Sequence, residues 1–189
     1  MTYIVVTNDD GVFAPGILAL ANALREVGSV QGIAPATNQS STGHKKTLHQ
    51  DIRIEQVKLA DGTPAVSVHG SPADCIALAA LGVGDWPPDI VVSGINRGAN
   101  MGHDITYSGT VTAALEATIQ NVPAVAVSLN KRDADDPRDY LEAARVAVRV
   151  VRKALQETIP PYTVLNLNVP AVDSVKGMRL TRQGIRIYR

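Results

Sequence analysis

Asn8-Asp9-Asp10-Gly11 follows directly on an apolar run, Tyr3-Ile4-Val5-Val6-Thr7, at the start of the chain. No other feature of the sequence limits the fold as strongly. An unbroken run of β-branched and aromatic residues makes a strand buried on both faces. The two carboxylates then stand at its carboxyl end, the edge at which open α/β sheets bind ligands. Adjacent carboxylates repel each other, and both stay ionised comfortably only when a cation or solvent shares the site. A plain acidic turn between strand and helix would read the same locally, so the rest of the chain has to decide.

Strand and helix patterns alternate from there. Ile17, Leu20, Ala21, Leu24 and Val27 recur at helical spacing, with Pro15 near the start and Gly28 at the end. Val30 to Ala34 reads as a second strand, followed by a polar loop from Ala36 to Lys46, too long for a simple connector. Ile52, Ile54, Val66 and Val68 alternate with period two around Asp61-Gly62, which predicts a β-hairpin insertion. Ser71 and Pro72 mark a helix start, and Asp89 to Ser93 is another buried strand. A glycine-rich loop from Gly94 to Asp104 leads to a helix opened by Ser108-Gly109-Thr110. A strand over Ala124–Ser128, a charged loop over Lys131–Pro137, a long helix over Tyr140–Glu157 and a strand over Thr163–Val169 follow. A last short strand is expected at Met178–Thr181. The pattern predicts one α/β domain over residues 1–189: a doubly wound, Rossmann-like, mostly parallel sheet with helices on both faces.

Composition narrows the function. Eighteen basic and eighteen acidic side chains cancel, so no global field draws in nucleic acid or an anionic membrane. Aromatics are only 4% of residues, which leaves little for stacking single-stranded bases. The single cysteine, Cys75, falls in an apolar helical stretch and is expected to be a buried small hydrophobe. No signal-peptide pattern and no membrane-length apolar run occur, and a cytoplasmic protein is expected.

Right-handed crossovers would bring the loops after the parallel strands to one edge of the sheet. Asp9 and Asp10, Ser40, Asn96, Ser108 and Thr110 all lie in such loops. Carboxylates, a hydroxyl and an amide are hard oxygen donors, which select Mg²⁺, Mn²⁺ or Ca²⁺ over Zn²⁺. Ser108-Gly109-Thr110 at a helix start can bind an anion through free N–H groups, and an ordinary cap at Ser108 fits the same residues equally well. Asn96 and Asn100 can donate amide hydrogens to the same anion. His44, His49, His69 and His103 are scattered, and a solvent-exposed loop position is expected for them. The dinucleotide, P-loop and nucleophile-elbow fingerprints are absent.

Further stretches complete a pattern: Ala14-Pro15-Gly16, Ala34-Pro35 through Asn38-Gln39-Ser40, Gly70-Ser71-Pro72-Ala73-Asp74-Cys75, Val92 through Asn100, and Tyr107-Ser108-Gly109-Thr110-Val111. With Asn8-Asp9-Asp10-Gly11 they resemble the SurE (survival protein E) family from Met1 to about Arg182. The resemblance implies a metal-dependent 5′-nucleotidase that removes phosphate from nucleoside monophosphates. It places one divalent cation per subunit (Mg²⁺ or Mn²⁺, or Ca²⁺ in a crystal) on Asp9, Asp10, Ser40 and Asn96, and phosphate on Ser108, Gly109 and Thr110. It also implies a homodimer or higher homo-oligomer. Family members generally continue past the point where this chain stops, into an arm and hairpin that pack on a partner subunit. Alternatives are a nucleotide- and metal-binding module without turnover, should that arm be required for it, and a broad-specificity acid phosphatase. Asp9 or Asp10 is the candidate base for an attacking water; whether either attacks phosphorus directly is open, with water expected.

Overall fold

The opening apolar run forms β1 (Tyr3–Thr7), and α1 (Pro15–Leu24) follows with Pro15 in its first turn, where a missing N–H costs nothing. The computed structural model describes residues 1–185 and 187. Next come β2 (Ser29–Pro35), β3 (Ile54–Lys58), β4 (Pro64–Val68), α2 (Pro72–Ala80) and β5 (Ile90–Arg97). The order ends with α3 (Gly109–Ile119), β6 (Ala124–Asn130), α4 (Leu141–Ala154) and β7 (Val164–Pro170). Ser71 opens α2 through a reciprocal cap. Its hydroxyl accepts the Asp74 N–H at 3.1 Å, and Asp74 accepts the Ser71 N–H at 2.8 Å.

The strands form one sheet in the order β3-β4-β2-β1-β5-β6-β7, parallel except at β3. Chain direction across the sheet reverses between β1 and β5, which opens a crevice at their carboxyl ends. Alternation along β1 feeds two cores. Ile4 and Val6 pack with Leu20, Leu24 and Ala147 under α1 and α4, and Val5 packs with Ile76 and Ala113 under α2 and α3. The doubly wound expectation is met.

Several boundaries differ from the sequence reading. The hairpin around Asp61-Gly62 is not an appendage: β4 pairs with β2 as a regular parallel strand, and β3 is the antiparallel edge. Tyr140 ends a short turn of 3₁₀ helix rather than starting the long helix, which stops at Ala154. Residues 178–181 are not a strand. The expected glycine-rich loop begins inside the sheet, since Gly94 through Arg97 belong to β5.

That last difference positions the site. Ser93 pairs with Ala126, and the next aligned pair is Asn96 with Ser128. The extra residue is a bulge, which sets Asn96 on the α2–α3 side shared by Ser93 and Ala126. A side chain at Gly94 is excluded there: φ is +143°, and a Cβ would lie 2.3 Å from the Val127 carbonyl oxygen.

Candidate active site

Asp9 leaves the end of β1 almost fully buried, at 3% exposure. A carboxylate so placed needs donors, and the first turn of α3 supplies them. The Thr110 hydroxyl donates to Asp9 Oδ1, and the Thr110 backbone N–H also faces the carboxylate. The approach requires glycine at position 109, where a Cβ would stand 2.7 Å from Asp9 Cβ and 2.9 Å from Pro72 Cγ. The start of α3 is thus pressed between Asp9 and the start of α2. Burial pushes Asp9 up from 3.8 to about 6, against the pull of the Thr110 donors, and the neighbouring Asp10 charge adds to the rise.

Asp10 is only half-buried. Its Oδ2 accepts the Arg97 N–H at 3.1 Å, which ties β1 to β5 across the switch point. Burial raises its pKa too, opposed by the Arg97 hydrogen bond and charge. Asn8 sets the turn that carries both acids. Its Nδ2 donates to the Gly11 carbonyl at 2.8 Å, and its Oδ1 accepts the Gly11 N–H at 3.2 Å.

The loop after β2 closes in through its backbone. The Gln39 N–H donates to the Asp9 carbonyl at 2.7 Å. The Ser40 N–H donates to Asn38 Oδ1 at 2.8 Å, which leaves the exposed Ser40 side chain one residue from that tie. Asn96 donates its Nδ2 to the Gly98 carbonyl at 2.8 Å. Its Oδ1 and its second Nδ2 hydrogen have no partner beside that bond among the described residues, so Asn96 still offers an acceptor to a cation and a donor to phosphate. Beneath these groups Thr7 and Ser93 face each other in register on the α3 side. Their fully buried hydroxyls have no hydrogen-bond partner among the described residues, so the floor of the crevice has polar capacity to spare.

The remaining expected phosphate ligands divide. Ser108 accepts the Val111 N–H at 3.2 Å and serves as the helix cap, and the Gly109 N–H of the same turn has no hydrogen-bond partner among the described residues. Asn100 is buried and donates its Nδ2 to Ser128 Oγ at 2.9 Å, and its carbonyl accepts from Asn166 and Asn168. Its side-chain amide is tied to β6 and its backbone to β7, and Ser128, which accepts from it, is in register with Asn96. The structure therefore gathers Asp9, Gly109 and Thr110 by direct contact, brings Asp10, Ser40 and Asn96 in by short backbone links, and ties Asn100 to Ser128 opposite Asn96.

The donor chemistry fits a hard divalent cation. No three His, Cys, Asp or Glu side chains cluster as a metal cage among the described residues. Two carboxylates with neutral oxygens and retained waters are the set that Mg²⁺ or Mn²⁺ accepts. Asn8, Arg97 and Pro72 were missed by the sequence reading. Asn8 stood in plain view beside the carboxylates, whereas the sequence marks Pro72 as a helix start and Arg97 only as part of the Val92–Asn100 stretch. His44 is an exposed loop residue as expected, and its Nε2 also meets buried Glu116 at 2.9 Å.

The sequence profile described as "Survival protein SurE" matches residues 4–189. A protein named 5′-nucleotidase SurE from Chloroflexus aggregans is 48% identical over 190 residues, spanning 99% of this chain and 74% of the relative. The protein of the same name from Syntrophotalea carbinolica is 50% identical over 186 residues, 98% of this chain and 72% of the relative. Among solved structures, the SurE protein of Aquifex aeolicus superposes with a TM-score of 0.88 at 40% identity, covering 99% of this chain and 74% of that one.

Proposed function

This chain belongs to the SurE family, and from that premise we propose that it hydrolyses nucleoside 5′-monophosphates to nucleoside and inorganic phosphate. One observation carries the reading: two adjacent carboxylates and a helix N-terminus meet at the switch point, with Gly109 allowing contact at Asp9. Asp9, Asp10, Ser40 and Asn96 would hold a divalent cation, Mg²⁺ or Mn²⁺. Once bound, it would polarise a phosphoryl oxygen and acidify water.

The chain's own groups divide the remaining work. Asp9 has one oxygen committed to Thr110, so it anchors. Asp10 is half-exposed with one oxygen engaged by Arg97, and its other oxygen can take the proton of the attacking water. The Gly109 N–H and the α3 N-terminus stabilise charge on the phosphoryl oxygens. Asn96 serves the cation through Oδ1, and Asn100 is a scaffold residue. The reading extends to a homo-oligomer. It is supported by β7 at the sheet edge and by exposed Met178, Leu180, Ile185 and Ile187 after it.

Comparison of 5′-AMP with p-nitrophenyl phosphate at saturating Mn²⁺ tests the substrate. A kcat/KM at least tenfold higher for the nucleotide, about 1.4 kcal/mol of transition-state preference, is expected. Equal values would replace the nucleotidase with a general phosphomonoesterase.

A further inference from the structure

Residues 36–53, between β2 and β3, contain no helix or strand, yet the segment is tied down along its length. Ser40 lies between two backbone ties, Gln39 N–H to the Asp9 carbonyl at 2.7 Å and Gly43 N–H to the Tyr107 carbonyl at 3.0 Å. Past Gly43 the segment is held by two buried acids that the reaction does not use. Asp74, 3% exposed, accepts the Thr47 N–H at 2.8 Å and the Thr47 hydroxyl at 2.7 Å. Glu116, 1% exposed, meets His44 Nε2 at 2.9 Å and Lys46 Nζ at 2.8 Å, and Gln120 donates to it at 3.2 Å.

A carboxylate this deep stays ionised only when its charge is matched, and the loop brings the Lys46 ammonium and a hydrogen bond from the His44 ring. Burial pushes Glu116 up, but the hydrogen bonds from Lys46, His44 and Gln120 outweigh it and hold the group below the usual range. Glu116 stands seven residues along α3 from Gly109. At roughly 1.5 Å per residue that is about 10 Å, too far to touch a phosphate at the helix N-terminus.

We propose that Glu116 is a positioning residue for the cation site: by gripping His44 and Lys46 it holds the 36–53 segment in the arrangement that presents the Ser40 oxygen beside Asp9. This rests on the reading of Asp9, Asp10, Ser40 and Asn96 as the cation's ligands. A site whose competent arrangement is populated only about a tenth of the time binds about tenfold more weakly. Loss of the grip is therefore read as lost metal affinity rather than lost chemistry.

The test uses the full chain without substrate: Mn²⁺ affinity by calorimetry, and amide exchange of residues 39–47 by mass spectrometry. The variants are Glu116→Gln, Lys46→Ala and the pair together. Glu116→Gln is expected to raise the Mn²⁺ Kd about tenfold and to speed exchange at 39–47 by a similar factor. Its kcat at saturating Mn²⁺ should stay within about twofold of wild type. Lys46→Ala, a change at a half-exposed position whose folded state is checked by its melting curve, should shift both readouts the same way. The double variant should be no worse than Glu116→Gln, because both changes remove one contact. Faster exchange with an unchanged Kd in both single variants would overturn the proposal and leave Glu116 a stabilising residue only. A wild type that binds no Mn²⁺ would overturn the proposal together with the cation reading. A wild type that binds Mn²⁺ but spares 5′-AMP would overturn the nucleotidase reading alone, with this test still decisive.

Discussion

Asp9→Asn should make the metal-free protein more stable while destroying its activity. In the folded chain Asp9 is pushed up from 3.8 to about 6, chiefly by burial. Between those two values the folded state holds the proton more tightly than the unfolded state, so stability falls as pH rises through that window. Roughly two pK units at ~1.4 kcal/mol each give about 3 kcal/mol of destabilisation above pH 6. Asn cannot ionise, and its oxygen still accepts from Thr110. The value of about 6 already includes the pull of the Thr110 donors, so the gain is the whole of about 3 kcal/mol. In a chain of this size that amounts to roughly 6–12 °C in Tm. Calorimetric melting in EDTA at pH 7.5 should show it, and the advantage should shrink steadily towards pH 4. Saturating Mn²⁺ should reverse the order, because only the wild type gains binding free energy. A lower Tm for Asp9→Asn in EDTA at pH 7.5, or a gain that ignores pH, would refute the reasoning.

Three further outcomes follow from the same geometry. Gly109→Ala puts a methyl 2.7 Å from Asp9 Cβ and 2.9 Å from Pro72 Cγ, so the start of α3 must move. Denaturant melts should show about 1–3 kcal/mol of lost stability, and phosphate release should fall about 100-fold because the donors at Asp9 are displaced. Thr110→Val removes the hydroxyl donor to the Asp9 carboxylate. Donors to the charged form lower a carboxyl pKa, so the acid limb of the kcat/KM profile should move to higher pH, a shift read by titrating activity with Mn²⁺ present. Asn100→Ala strips the buried link to Ser128 and should cost about 1–3 kcal/mol of stability, while leaving KM for 5′-AMP within about twofold.

What the sequence made legible was set by short-range pattern. The β1 run, the Asp61-Gly62 hairpin, the Ser71 cap and the Ser108 cap are local choices of residue and period, and each lies where its chemistry predicts. The convergence of Asp9, Ser40 and Asn96 on one edge follows from crossover handedness alone. The bulge at Gly94-Ile95 was hidden because a glycine forced by the approach of Val127 looks the same in sequence as a loop glycine. The inward turn of Asn100 towards Ser128 was hidden likewise, since an Asn among glycines carries no mark of which way its amide faces. Glu116 is the deepest case. A glutamate within a helix reads as a solvated charge, and only the tertiary approach of Lys46 and His44 allows it to be buried.

The most direct test of the account is inorganic phosphate release from 5′-AMP with Mn²⁺, with and without EDTA, for the wild type and Asp10→Asn. Release that depends on Mn²⁺, vanishes in EDTA and is lost in a folded Asp10→Asn is the predicted result. Undiminished turnover in EDTA or in Asp10→Asn would contradict the claim that the paired carboxylates at the end of β1 carry a metal-assisted hydrolysis.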